Sequence, residues 1–327
     1  MKYFVTGATG HIGNNVVRTI LEREPDAQVS ILQRKLNNPA TDGLKAKKVF
    51  GDITNPNSYK EAIDEETIVI HLAGLVDLSG KNKDLIYKVN YESTLSLVEM
   101  CIKTHVKRFI YVSSVDVINK DEITGSIKEP KRLYPEKLNS HYATTKALST
   151  YYIMEMAKRN PGFNYAIIFP TAVIGPNDYK PSMAGKLIVD RIQGKKQFVL
   201  KGGFDFVDVR DVSNVVYELA NNDVRGEFII SGTAVSVDDV YAMINEKLGD
   251  SSKPTKVPMA LAMLASGLFK MVPKQALKSL SEKHNFDCSK AKKELNYETR
   301  PIKDTIFDTV MWFQDKILKE EQEKSQE

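Results

Sequence analysis

The chain has 327 residues, of which 46 are Lys or Arg and 42 are Asp or Glu, for a net charge of +4. That length supports one large domain or two lobes with a sizeable core, and 42% hydrophobic with 27% charged residues is the composition of a soluble globular protein. So even a charge balance argues against nucleic acid as a partner. The two distant cysteines, Cys101 and Cys288, show neither a disulfide framework nor metal-ligand spacing, which points to a reducing compartment and no metal site.

Lys2-Tyr3-Phe4-Val5 reads as a first strand, followed at once by Thr6-Gly7-Ala8-Thr9-Gly10-His11-Ile12-Gly13 and an apolar helical pattern through Ile20 and Leu21 that stops before Pro25. Strand, glycine-rich turn and helix in this order form the context in which a turn binds a dinucleotide. Gly7 can take a backbone conformation closed to other residues, Gly10 lets main chain approach a pyrophosphate, and Gly13 lets the helix pack closely on the strand. The helix N-terminus favours the negative charge of the phosphates. Further strands are expected at 28–33, 46–50, 67–71, 107–113 and 165–169, with helical patterns at about 57–63, 83–104 and 140–159. Such alternation implies a Rossmann-type, doubly wound parallel sheet with helices on both faces. Ligands on such sheets sit beyond the carboxyl ends of the strands, where Gly7, Gln33, Asp52, Leu72 and Ser114 fall.

Residues 118–139, with Pro130 and Pro135, read as a loop insertion near the site. Past Pro170 a helix at about 182–194 and a strand at 197–200 open a second lobe, while 204–212 and 227–230 are expected to return to the main sheet. The expected organisation is a dinucleotide-binding domain over 1–175 plus about 203–232, a smaller, mostly helical C-terminal substrate lobe over about 176–202 and 233–315, and a charged tail from 316 that frays. The apolar stretch Val257–Val272 is too short and interrupted to span a bilayer; it reads as a buried helix, a pocket wall or a dimer surface. With the first strand starting at residue 2, no signal peptide is expected, and the location expected is cytoplasmic.

Tyr142 and Lys146 lie four apart in a predicted helix and so share one face. A tyrosine is a poor acid at neutral pH, with a pKa of about 10, and a nearby ammonium lowers that value. Such a tyrosine can give a proton to a carbonyl oxygen while hydride reaches the carbon. Lys146 can also hydrogen-bond a ribose hydroxyl. Ser113 and Ser114 end the fifth strand, and Ser114 is placed to hydrogen-bond the substrate oxygen.

With these residues the chain resembles the extended branch of the short-chain dehydrogenase/reductase superfamily, the NAD-dependent epimerase/dehydratase family. The resemblance rests on the 6–13 loop, Gly51-Asp52-Ile53-Thr54, His71-Leu72-Ala73-Gly74, Val89-Asn90, Val112-Ser113-Ser114, Tyr142 with Lys146, and Phe169-Pro170-Thr171-Ala172-Val173. It implies that Ser114, Tyr142 and Lys146 are catalytic. It further implies that Thr9, His11, Ile12 and the three loop glycines, Asp52, Ile53, Leu72, Ala73, Gly74, Asn90 and residues 170–173 line the cofactor. A small-molecule substrate is implied, and homodimers are common in the superfamily. The run 204–212 also resembles the family, with Asp211 expected to cap the following helix.

Cofactor choice is read at the end of the second strand, where a carboxylate would grip the ribose and repel a 2′-phosphate. Here Gln33 is followed by Arg34 and Lys35, so NADP(H) is favoured over NAD(H). Dehydratases of the superfamily carry an Asp-Glu pair after the strand-five hydroxyl. Here Val115 and Asp116 stand in those places, and Ile118 replaces a tyrosine common in sugar-modifying members. The closer likeness is to the dihydroflavonol 4-reductase and 3β-hydroxysteroid dehydrogenase group. The resulting expectation is an NADPH-dependent carbonyl reductase with Tyr142 as proton donor. The alternatives are an NAD-dependent sugar-nucleotide epimerase or dehydratase and a non-catalytic, redox-sensing NADP-binding protein. Asp116 is expected either to hydrogen-bond substrate or to solvate the insertion loop.

Overall fold

The structure, a computed structural model, describes residues 1–76, 82–120, 123, 125–195, 198–252, 254–258 and 284–325. The described chain forms two compact units, one of residues 1–171, 210–230 and 286–298, the other of 172–209, 231–285 and 299–327.

The first unit is built on a seven-stranded sheet. Its strands are β1 (Lys2–Thr6), β2 (Gln28–Gln33), β3 (Lys47–Phe50), β4 (Thr67–His71), β5 (Arg108–Val112), β6 (Tyr165–Pro170) and β7 (Gly226–Ile230). They run in the order β7-β6-β5-β4-β1-β2-β3, and every pairing is parallel. The central strands β4 and β5 are buried along their whole length, as expected when helices cover both faces of a parallel sheet. Helix α1 (His11–Arg23) turns Val16, Val17 and Ile20 to the sheet, and its last turn carries Arg23 at the negative end of the helix dipole. Helices α2 (Ser93–Thr104) and α3 (His141–Arg159) bring Leu97, Val98, Ala147 and Ile153 into the core that holds Phe4, Phe109, Tyr111 and Ile167.

Several expectations are refined. The stretch 57–63 forms two 3₁₀ turns, Pro56–Ser58 and Lys60–Ala62, since Pro56 opens a turn too short to continue as an α-helix. The expected helix over 83–104 is broken by a π-helical stretch, Tyr87–Glu92. There the Ser93 and Thr94 hydroxyls back-bond to the Val89 and Asn90 carbonyls and turn Asn90 inward. Such π segments occur preferentially at functional sites.

The second unit holds a separate three-stranded sheet, with Gly203–Asp208 between Ala172–Ile174 (parallel) and Thr233–Ser236 (antiparallel). This corrects the expected return of 204–212 to the main sheet. Beside β6 the edge is taken by β7 instead, and Glu227 to Ile230 do return as expected. Helices Met183–Ile192, Val237–Leu248 and Ile302–Lys324 pack Ile188, Ile244, Ile306, Val310 and Phe313 around Ile174 and Phe206. Asp211 lies in the first turn of the helix Val209–Ala220 rather than at its cap, so its charge acts on the helix dipole. The charged tail does not fray at Asp315: helix continues to Lys324, with a Lys316–Glu320 pair spaced one turn apart. Of the apolar stretch 257–272, everything beyond Pro258 lies outside the described residues.

Candidate active site

The strand β1 ends at Thr6, and the next residue has to reverse the chain against the neighbouring loop. Gly7 does so with φ +77°, and a Cβ there would lie 2.6 Å from the Ala73 backbone nitrogen. A Cβ on Gly13 would fall on the Gly7 carbonyl oxygen. Gly10 is exposed and is the N-cap residue of α1, with no side-chain cap; Thr9, His11 and Ile12 are half-buried around it. The loop is therefore closed tightly on its own backbone at Gly7 and Gly13 and open outward at Gly10. This shape fits a pyrophosphate laid against main chain at a positive helix end.

Beside the loop, Thr6 and His71 end adjacent strands in register. The Thr6 hydroxyl accepts the Leu72 and Ala73 N–H groups (3.2 Å each) and lies 2.7 Å from His71 Nδ1. His71 Nε2 lies 2.9 Å from the Thr94 hydroxyl, whose own proton goes to the Asn90 carbonyl. Thr94 must therefore accept from Nε2–H, and Thr6 must donate to Nδ1, which fixes one neutral tautomer. Burial, with Lys146 adding to it, pushes the His71 pKa down to about 3. Asn90 holds the strand-four loop: its side chain accepts the Leu75 N–H and donates to the Leu75 carbonyl and the Thr145 hydroxyl. The amide is thus committed to protein partners, and Asn90 shapes the loop 72–75 from behind.

At the β2 end, Gln33 is buried and turned inward. Its amide donates to the Lys35 and Leu36 carbonyls and its oxygen accepts from Thr41. Arg34 and Lys35 are exposed, and Arg34 Nη1 lies 4.0 Å from Asp52 Oδ2. Burial alone would raise the Asp52 pKa, but two hydrogen bonds from Thr54 and the charges of Arg34 and Lys88 hold it below the usual value. Ile53 beside it is buried.

At the β5 end the two serines part. Ser113 points into the core and donates to Thr150, whose proton goes to the Lys146 carbonyl. Ser114 caps the 3₁₀ turn Val115–Val117 by accepting the Asp116 N–H at 3.1 Å. With that lone pair used, its O–H remains to be donated. Tyr142 sits on the first turn of α3, which Ser140 caps. Ser114 is a hydrogen-bonding neighbour of the Tyr142 hydroxyl, which pulls the phenol pKa down. Burial, and after it the Asp116 carboxylate, outweigh this, so the pKa stands well above the ordinary value. The expectation that Lys146 depresses it is not met. The Lys146 ammonium is buried, donates to the Val112 carbonyl at 2.7 Å and lies 4.0 Å above the Tyr111 ring. Its own pKa is pushed down to about 7 by burial.

Pro170 ends β6, and the buried Thr171 hydroxyl beside it has no hydrogen-bond partner among the described residues, an orphan that a polar ligand group could satisfy. Ala172 and Val173 belong to the second unit, opposite Phe206 and Val207. His71, Thr94 and Lys120 were not singled out in the sequence as functional. The one signal for His71 is a histidine closing an otherwise apolar strand.

The family model for the NAD dependent epimerase/dehydratase family matches residues 3–230, most of the chain. The chain belongs to that family. It is an NAD(P)-dependent enzyme of the extended short-chain dehydrogenase/reductase type. Among curated relatives it is 26% identical to the sterol demethylase protein B of Methylococcus capsulatus, over 97% of this chain and 99% of that one. It is also 26% identical to a Synechocystis sp. protein provisionally named a dihydroflavonol 4-reductase, over 95% of this chain and 94% of that one. Among solved structures it shares the fold of the Thermotoga maritima UDP-glucose 4-epimerase with UDP-glucose (TM-score 0.81, 21% identity, 97% of this chain and 100% of that one). No helix among the described residues is long and apolar enough to cross a membrane, and no group of His, Cys, Asp or Glu among them could hold a metal ion.

Proposed function

We propose that this chain reduces the carbonyl of an apolar, ring-bearing compound with NADPH, with Ser114, Tyr142 and Lys146 as its catalytic residues. The observation that carries the reading is the Tyr142 phenol, on the same helix as the buried Lys146, beside a Ser114 hydroxyl that already accepts the Asp116 N–H of its own turn. When bound, the dinucleotide supplies a hydride to the carbonyl carbon. Tyr142 gives its phenolic proton to the carbonyl oxygen, and Ser114 donates a hydrogen bond to the same oxygen as charge gathers there. Lys146, one helical turn from Tyr142 on the same helix, is a buried amine whose pKa burial pushes down to about 7. Its ammonium also suits a ribose hydroxyl.

The glycine loop would hold the pyrophosphate, and Asp52, Ile53 and residues 72–74 would border the adenosine. Arg34 supports the extra phosphate of NADP(H): it is exposed, its guanidinium is a fork suited to phosphate, and the inward-turned Gln33 offers no opposing acid. The substrate class rests on the relatives named for sterols and dihydroflavonols, both fused-ring compounds. NADPH and NADH titrations followed by nucleotide fluorescence, with a ketone turnover assay, test the reading. Tighter binding of NADPH and a fall in kcat of at least about 100-fold in Tyr142→Phe are expected. Equal affinities overturn the cofactor assignment, and near-normal Tyr142→Phe turnover overturns the mechanism.

A further inference from the structure

Lys146 is buried, and among the described residues no carboxylate pairs with it. A charge taken out of water without a counter-ion is costly unless other groups answer it. Two groups do so, from consecutive residues of β5: the Val112 carbonyl accepts from the ammonium at 2.7 Å, and the Tyr111 ring centroid lies 4.0 Å from it. Tyr111 and Ser113 share one face of the chain there. Helix α3 covers that face, where Ser113 meets Thr150 and Tyr111 meets Lys146. The ring is itself held. It is completely buried and stacks at 5.5 Å on His71, its register partner on β4, which Thr6 and Thr94 lock in place. Ser149 and Thr94 stand near the Tyr111 hydroxyl, but both give their protons to the Asn90 carbonyl, and the hydroxyl makes no hydrogen bond of good geometry among the described residues. What Tyr111 offers Lys146 is the face of its ring.

We propose that Tyr111 is a positioning residue: its ring face, together with the Val112 carbonyl, seats the Lys146 ammonium in place of a counter-ion. This rests on the reading of Lys146 as a catalytic residue. An aromatic face attracts a cation through its quadrupole, most strongly when the pair is desolvated, and carries no net charge. A carboxylate in its place would bind the ammonium as an ion pair and take up its donors. Of the three N–H groups of an ammonium, the Val112 carbonyl takes one, so donors remain for a ribose hydroxyl. The titratable groups around α3 leave the seat unshared. His71 on β4 is neutral, Tyr142 on α3 itself stays protonated at neutral pH, Asp116 pairs with Lys120, and Glu99 on α2 accepts the Tyr152 proton. Lys83, Asp84, Lys88, Glu92, Lys103, Glu136 and Lys137, on the other segments packed against α3 or beside Glu99, are all exposed to solvent, which screens them.

The test follows the ionisation of Lys146 in the full chain, isotope-labelled at the lysine ε carbon and titrated by NMR. The Lys146 signal is the one lost in Lys146→Met. Tyr111→Phe keeps the ring and should leave the midpoint within about 0.3 pH unit of the parent. Tyr111→Leu removes the ring face and should lower the midpoint by about one pH unit, a tenfold fall in the ratio of charged to neutral amine. A trifluorinated phenylalanine at position 111 keeps the shape of the ring and draws electron density from its face. It should lower the midpoint by at least about half a pH unit relative to Tyr111→Phe, and it decides the matter if circular dichroism shows Tyr111→Leu misfolded. Ketone reduction at neutral pH should be kept by Tyr111→Phe and should fall in the other two variants. A fluorinated protein that titrates like Tyr111→Phe overturns the proposal, as does a Tyr111→Phe midpoint as low as that of Tyr111→Leu. The expected midpoints together with near-normal turnover of Lys146→Met would leave the seat intact and overturn the catalytic reading of Lys146 instead.

Discussion

Gly7 and Gly43 have nearly the same left-handed backbone, φ +77° and +78°, but different surroundings: a Cβ on Gly7 would press on the Leu72–Ala73 main chain, while one on Gly43 would meet nothing within 4 Å. Alanine at the two positions therefore separates backbone strain from steric contact. The left-handed conformation costs an ordinary residue about 1–2 kcal/mol, offset by about 0.4–1 kcal/mol from the stiffer unfolded chain. Gly43→Ala should lose about 0–1.6 kcal/mol. Gly7→Ala adds the cost of forcing backbone apart, about 1–3 kcal/mol as in overpacked cores. At about 2–4 °C per kcal/mol for a unit of this size, Gly43→Ala should melt within about 6 °C of the parent and Gly7→Ala about 2–12 °C below Gly43→Ala. Gly13→Ala, without left-handed strain but with its Cβ on the Gly7 carbonyl, should fall between them or near Gly7→Ala. Differential scanning calorimetry of the three variants, with NADPH affinity measured alongside, decides this. A Gly7→Ala variant no less stable than Gly43→Ala, or a Gly13→Ala variant with parental melting and NADPH affinity, would refute the tight loop closure described here.

Two further predictions concern buried bases and one the cofactor. Folded His71 titrates near 3 against about 6.5 unfolded, so its contribution is present above pH 6.5 and is lost as pH falls towards 3. Stability of the parent relative to His71→Gln should therefore drop by up to about 1.4 kcal/mol per pH unit through that window; parallel curves would contradict the buried neutral tautomer. Lys146 titrates near 7 against an ordinary lysine value of about 10.4. The unfolded chain binds the extra proton between those values, so stability rises with pH there, and the parent should gain on Lys146→Met from pH 7 upward in urea titrations. A difference that does not change with pH would refute the desolvation of Lys146. Arg34→Ala should weaken NADPH binding by at least about tenfold and leave NADH binding little changed, as read by fluorescence titration. Equal losses for both would assign Arg34 to fold support through Asp52.

The parallel sheet was legible because its signals are local. Each strand is a short apolar run ended by a turn residue at its carboxyl end, and Gly7, Gly10 and Gly13 mark the one turn that must close on itself. Gly203–Asp208 was not legible in this way. Its alternation suits either sheet, and its place follows from Ala172–Ile174 leaving β6 to offer it an edge, a contact between segments far apart in sequence. Tyr142 and Lys146 were visible as a helical pair, but the direction of the Tyr142 shift was not. That depends first on how deeply the phenol is buried and then on Asp116 arriving from another element. Gln33 illustrates the same limit: its position at the strand end was readable, its inward turn towards Thr41 was not.

The claim that Tyr142 delivers a proton while NADPH delivers hydride to a carbonyl is tested most directly by following the hydride. The full chain is given NADPH deuterated at the transferring position of the nicotinamide, with a panel of fused-ring ketones and with UDP-hexoses, and products are weighed by mass spectrometry. Deuterium fixed on the carbinol carbon of a fused-ring alcohol is expected, and its loss with Tyr142→Phe. Unlabelled ketones throughout, with a UDP-hexose inverted at one carbon and no net oxidation of the nucleotide, would contradict it.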